Sequence, residues 1–60
     1  MVGDPMMNRR VLVLDDDVAV LRLLDRVLAT RGYQVATATS VPDAVTMLDA
    51  QVYDVVLADN

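Results

Sequence analysis

Acidic side chains dominate the chemistry available to this 60-residue chain, which carries nine aspartates, no glutamate, five arginines and no lysine, histidine or cysteine. Three of the aspartates stand in a row, Asp15-Asp16-Asp17, directly after the apolar run Val11-Leu12-Val13-Leu14. A fourth, Asp59, directly follows a second such run, Val55-Val56-Leu57-Ala58. Carboxylates brought together repel one another and cost stability unless a cation neutralises them. An all-oxygen carboxylate set suits a hard divalent ion such as Mg²⁺, which takes one or two carboxylates and keeps open positions for water or a phosphate oxygen. That chemistry points to phosphoryl groups, with one aspartate left free as a nucleophile. The arrangement works only if the two apolar runs lie side by side and end together.

Blander roles compete for the same residues. An aspartate between a strand and a helix can cap the helix and complement its dipole, which fits Asp17 best and is open to Asp15 and Asp16. An aspartate at a strand end can be a turn residue, which is open to Asp59. Asp43 reads as a cap, Asp25 and Asp49 as solvated helix positions, Asp54 as a polar entry to a strand, and Arg9 and Arg10 as solvated strand flanks.

The elements that would position these groups follow from periodicity. Val11 to Leu14 is short, branched and continuous, as in a strand buried on both faces of a parallel sheet. Val20, Leu23, Leu24, Val27 and Leu28 then recur at helical spacing and predict one apolar stripe facing the core. Leu21 falls off that stripe and is expected either to be partly exposed or to touch something outside these residues. Asp17 can cap this helix, Arg31 complements its dipole, and Gly32 is the natural stop. Residues 33–38 read as a second strand, less apolar and nearer an edge. Ser40, Pro42 and Asp43 form the start of a second helix in capping-box order, whose predicted stripe is Val41, Ala44, Val45 and Leu48. Residues 54–58 read as the third strand. Residues 1–8, with Gly3, Asp4, Pro5 and Asn8, read as a loose, flexible N-terminal tail. The β-α-β-α-β order implies right-handed crossovers and a parallel sheet, hence an α/β domain that is half of a doubly wound fold.

Composition excludes several classes. A net charge of −4 gives no basic patch for nucleic acid or anionic lipid. No apolar run reaches the length of a membrane span, and the first ten residues lack a secretory core. The absence of cysteine removes disulfides and fits a cytoplasmic location. A chain of this size buries little of its surface, so stability on its own is expected to be marginal.

Read together, Arg10-Val-Leu-Val-Leu-Asp15-Asp16-Asp17, the stripe closing on Arg31-Gly32-Tyr33-Gln34-Val35, then Ala44-Val45-x-Met47-Leu48 and Tyr53-Asp54-Val55-Val56-Leu57-Ala58-Asp59, resemble the receiver domain of bacterial two-component response regulators. The resemblance runs from Arg9 to Asn60. It implies a flavodoxin-like sheet in the order 2-1-3-4-5 and a domain roughly twice this length, so residues 9–60 would be a partial receiver domain that stops after its third strand. It implies that Asp59 is the phospho-acceptor, taking its phosphoryl group from a histidine kinase or a histidine phosphotransfer protein. It further implies that Asp16 binds Mg²⁺ directly, that Asp15 helps hold it, and that Asp59 is also a ligand, together with a backbone carbonyl two residues past Asp59 that falls beyond Asn60. Such a domain catalyses its own phosphorylation and dephosphorylation. The family's later Ser or Thr and its Lys fall in elements beyond Asn60, so the 60 residues are expected to be incomplete for that activity. A competing expectation is a non-catalytic association module that self-associates through an exposed third strand. A haloacid-dehalogenase-type hydrolase also places an aspartate after an apolar strand, but Asp15-Asp16-Asp17-Val18 lacks that family's paired motif.

Overall fold

A computed structural model describes residues 9–58; the tail expected at 1–8 and the terminal Asp59 and Asn60 lie outside the described residues. The elements are β1 (Arg10–Leu14), α1 (Val18–Thr30), β2 (Gln34–Ala38), α2 (Val41–Ala50) and β3 (Val55–Ala58). The three strands form one parallel sheet in the order β2-β1-β3. β1 is therefore central, and its run of branched residues is buried on both faces: Val11, Leu12 and Val13 are almost wholly enclosed. Pleat alternation divides the core in two. Val11 and Val13 pack with Leu21 of α1 and, around them, Leu24, Leu28, Tyr33 and Val35. Leu12 packs on the other face with Ala38, Ala44 of α2 and the half-buried Met47 and Tyr53.

The helix termini follow their local chemistry. Asp17, in an extended conformation, accepts hydrogen bonds at its side chain from the backbone N–H groups of Ala19 and Val20 and so caps α1. At the other end Gly32 adopts φ 92°, the left-handed region that favours glycine. Tyr33 N–H donates to the Leu28 carbonyl and Gly32 N–H to that of Ala29, the paired bonds of a Schellman motif. Ser40 Oγ accepts from Asp43 N–H to cap α2; the returning bond from the Asp43 carboxylate that would complete a capping box is not among the described hydrogen bonds.

Both predicted stripes need correction. Leu21, placed off the stripe, is 4% exposed, whereas Leu23, placed on the stripe, is 61% exposed. Val27 is exposed too. The apolar residues of α1 form two adjoining bands, because Leu21, Leu24 and Leu28 also recur at helical spacing and lie about 100° around the axis from the other set. The sheet covers the first band. α2 repeats the pattern: Ala44 and Met47 face the sheet, while Val41, Val45 and Leu48 are exposed. The cause is common to both. Each helix packs over β1 and β2, and neither packs on β3. All four residues of β3 are consequently exposed.

All three strand starts also shift by one residue: β1 takes in Arg10, expected as a flank. Tyr33 is outside β2 because its N–H closes the Schellman motif. Asp54 precedes β3, and its role is sharper than a polar entry. Its backbone N–H donates to the Arg10 carbonyl, and its Oδ2 accepts from Arg10 N–H at 2.9 Å, locking the start of the β1–β3 pairing.

Candidate functional site

In a sheet ordered β2-β1-β3, α1 covers one face and α2 the other, so the winding reverses between β1 and β3. Open α/β sheets bind ligands at that reversal, beyond the carboxyl ends of the strands. The register sets what meets there: Leu14 pairs with Ala58 across the β1–β3 ladder. Asp15 follows the first and Asp59 follows the second in sequence. An open hollow lies at this place, bordered by Asp15, Leu24, Leu57 and Ala58 among others.

Asp15 and Asp16 are neighbours with unlike surroundings. Asp15 is 7% exposed, a rare degree of burial for an aspartate. Its backbone N–H donates to the Ala38 carbonyl at 3.1 Å, extending the β1–β2 ladder one residue past the strand. Its Oδ1 accepts from Asp17 N–H at 2.9 Å. Asp16 is exposed at the bend between them. The structure thus brings Asp15 and Asp16 to the expected end of β1; Asp59 lies outside the described residues. Among the described residues no group of three acidic, histidine or cysteine side chains forms a metal cluster. Asp15 and Asp16 alone fit Mg²⁺ in kind and number, as hard oxygen donors in the one or two that this ion takes.

Reasoning from sequence missed two features. One is the Asp15–Asp17 hydrogen bond, for which an Asp two residues before a capping position is a usable signal. The other lies at the opposite end of the sheet, where Arg10 is more than a solvated flank. Its Nε donates to Gln34 Oε1 at 3.1 Å, and with its oxygen turned inward the Gln51 amide lies 2.8 Å from Nε and Nη1.

The class of the chain follows from the fold and its matches. Residues 11–60 match the response regulator receiver domain, and the chain belongs to that family, whose members serve two-component phosphorelay signalling and interact with kinases or phosphotransfer proteins. Its relatives include the alginate biosynthesis transcriptional regulatory proteins AlgB of Pseudomonas aeruginosa and of Pseudomonas putida. Each is 44% identical over 50 residues, covering 83% of this chain and 11% of the relative. The response regulator PleD of Caulobacter vibrioides is 40% identical over 53 residues, covering 88% of this chain and 12% of its own. The chain therefore spans about a tenth of the length of these curated relatives. No solved structure gives a significant match. Among the described residues no helix is long and apolar enough to cross a membrane.

Proposed function

We propose that this chain carries the phosphoryl-accepting part of a receiver domain, with Asp59 as the acceptor and Mg²⁺ held by Asp15, Asp16 and Asp59. The observation that supports this most is the parallel β1–β3 register, in which the residues preceding Asp15 and Asp59 are direct partners. The Asp59 carboxylate would attack the phosphorus of a phosphohistidine on a histidine kinase or phosphotransfer protein. An acyl phosphate O–P bond forms as the N–P bond breaks, and the imidazole keeps the bonding pair and takes up a proton. Bound Mg²⁺ supplies charge neutralisation to phosphoryl oxygens. The chain's own part is to present Asp16 to solvent, keep Asp15 fixed at the strand end, and carry Asp59 directly after Ala58 in sequence. Location in the cytoplasm, where such phosphodonors act, belongs to the same reading. The test is phosphoryl transfer from a phosphorylated kinase or acetyl phosphate to a full-length receiver domain that carries these residues, since the 60 residues are expected to be incomplete for the activity. Wild type is expected to be labelled and Asp59→Asn not; undiminished labelling of Asp59→Asn refutes the assignment.

A second reading is favoured by one observation. All four residues of β3 are exposed, with Val56 and Leu57 among the large exposed apolar side chains. β3 is also an edge strand of the described sheet, and an edge with unpaired backbone groups is a template for pairing with another chain, so the 60 residues would self-associate through β3. Light scattering after size exclusion decides it: a concentration-dependent dimer supports this association, and a well-folded monomer at every concentration rules it out.

A further inference from the structure

The terminal oxygens of an aspartate are not held by its own torsions, since rotation about the last bond is broad and roughly two-fold. Something outside Asp15 must choose its orientation. Burial at 7% exposure narrows the choice, and the Asp17 N–H makes it, donating to Oδ1 at 2.9 Å. That N–H is in turn held by what Asp17 does with its other groups. Its backbone is extended at φ −91° and ψ 108°, and its Oδ1 accepts from Ala19 N–H at 2.9 Å and from Val20 N–H at 3.4 Å. Its carbonyl accepts from Leu21 N–H at 3.1 Å, the first bond of α1. Leu21 is itself buried against Val11 and Val13 of β1. A continuous set of bonds and contacts thus runs from the sheet core through the first turn of α1 to the carboxylate of Asp15.

We propose that Asp17 is a positioning residue for the candidate cation site: by capping α1 it holds its own N–H against Asp15 Oδ1 and fixes the carboxylate orientation that Asp15 offers to a divalent ion. This rests on Asp15 and Asp16 holding the ion, as inferred above, and gives the third aspartate of the run a role that is neither ligand nor nucleophile. Asp17 does this by geometry and not by charge. Asparagine and serine cap as well as aspartate, while alanine does not. Partners of this kind behind a metal ligand commonly change affinity 10–100-fold when removed.

The experiment uses the full chain and two readouts. Without metal, amide exchange at residue 17 and the carboxyl ¹³C shift of Asp15 report the orientation directly. With Mn²⁺ as the probe, paramagnetic titration reports affinity. Asp17→Ala is expected to speed exchange at residue 17, move the Asp15 carboxyl resonance and weaken Mn²⁺ binding by about tenfold. Asp17→Asn is expected to keep all three near wild type. Ser40→Ala, which removes the equivalent cap from α2, is expected to lower stability and leave Mn²⁺ affinity and the Asp15 resonance unchanged. If Asp17→Ala does not fold, Asp17→Gly removes the side chain at a smaller capping cost. Equal weakening by Asp17→Asn and Asp17→Ala would show a charge effect and overturn the positioning role. So would unchanged Asp15 shifts in Asp17→Ala. A wild type that orders Asp15 as described but binds no Mn²⁺ overturns the cation reading itself, and with it this role.

Discussion

The two apolar bands of α1 make a decisive comparison, because periodicity and packing rank Leu21 and Leu23 in opposite orders. Leu21 is 4% exposed and packed against Val11 and Val13, while Leu23 is 61% exposed. Truncating a buried leucine to alanine costs about 2–5 kcal/mol, the lost transfer energy plus that of the cavity left behind. Truncating a leucine already in water costs within about 0.5 kcal/mol, and alanine's better helix propensity offsets part of that. Total stability for 60 residues is expected at about 3–9 kcal/mol. Leu21→Ala therefore removes about a fifth of it at the least and can unfold the chain outright. Leu21→Met keeps the volume, costs under about 1.5 kcal/mol, and leaves a measurable transition if the alanine variant is lost. The assay is urea unfolding followed by far-UV circular dichroism, comparing midpoints at unchanged slope. At about 3 kcal/mol the midpoint temperature of Leu21→Ala would fall by roughly 12–24 °C, against a few degrees for Leu23→Ala. If Leu23→Ala proves as costly as Leu21→Ala, then the outer band of α1 is covered in solution and its assignment as a free face is wrong.

Other expectations follow from single contacts. Gly32→Ala should cost about 1–2 kcal/mol, since φ 92° places a Cβ against the following carbonyl; Gly32→Asn should recover part of this, and equal costs by chemical denaturation would count against the left-handed assignment. Asp16→Ala should leave unfolding unchanged, since the side chain is exposed, and yet abolish Mg²⁺ binding by calorimetry; retained binding would remove Asp16 from the ligand set. Asp15→Ala should lose both metal and about 1 kcal/mol or more of stability, because the Asp17 N–H loses its acceptor.

What could be read from the sequence divides along a physical line. Features fixed within a few residues were legible: Asp17 and Ser40 as caps, Gly32 as the stop, β1 with its buried Val11-Leu12-Val13 centre, and the order of elements. Each rests on local backbone chemistry or on a run too apolar to face water. The helix faces were not legible, because Val20 to Leu28 and Val41 to Leu48 each contain more apolar positions than one sheet face can cover. Periodicity then identifies a helix without choosing its inner side. That choice depends on where the helix lies over the sheet, which is a relation between elements distant in the chain. The bonds joining Arg10 to Asp54 and to Gln34 were hidden for the same reason: they span 44 and 24 residues and follow from strand register alone.

The same division explains why the acidic run reads more clearly than the pocket. Asp15, Asp16 and Asp17 are consecutive, yet the fold gives them three environments: one buried and hydrogen-bonded, one exposed, one capping a helix. Identical side chains at adjacent positions acquire different uses because the chain turns from strand to helix in that space. Leu14 belongs to the ladder and Val18 to the helix, so the intervening residues must change direction. An Asx-type bond from residue 17 to residue 15 is a compact way to make that turn. It commits one carboxylate to the backbone and a second to the helix, leaving Asp16 as the one member of the run with no described structural bond. The resulting order of sensitivity is testable within the triplet: stability should fall most for replacements at 15 and 17, and cation affinity should be separable from stability only at 16.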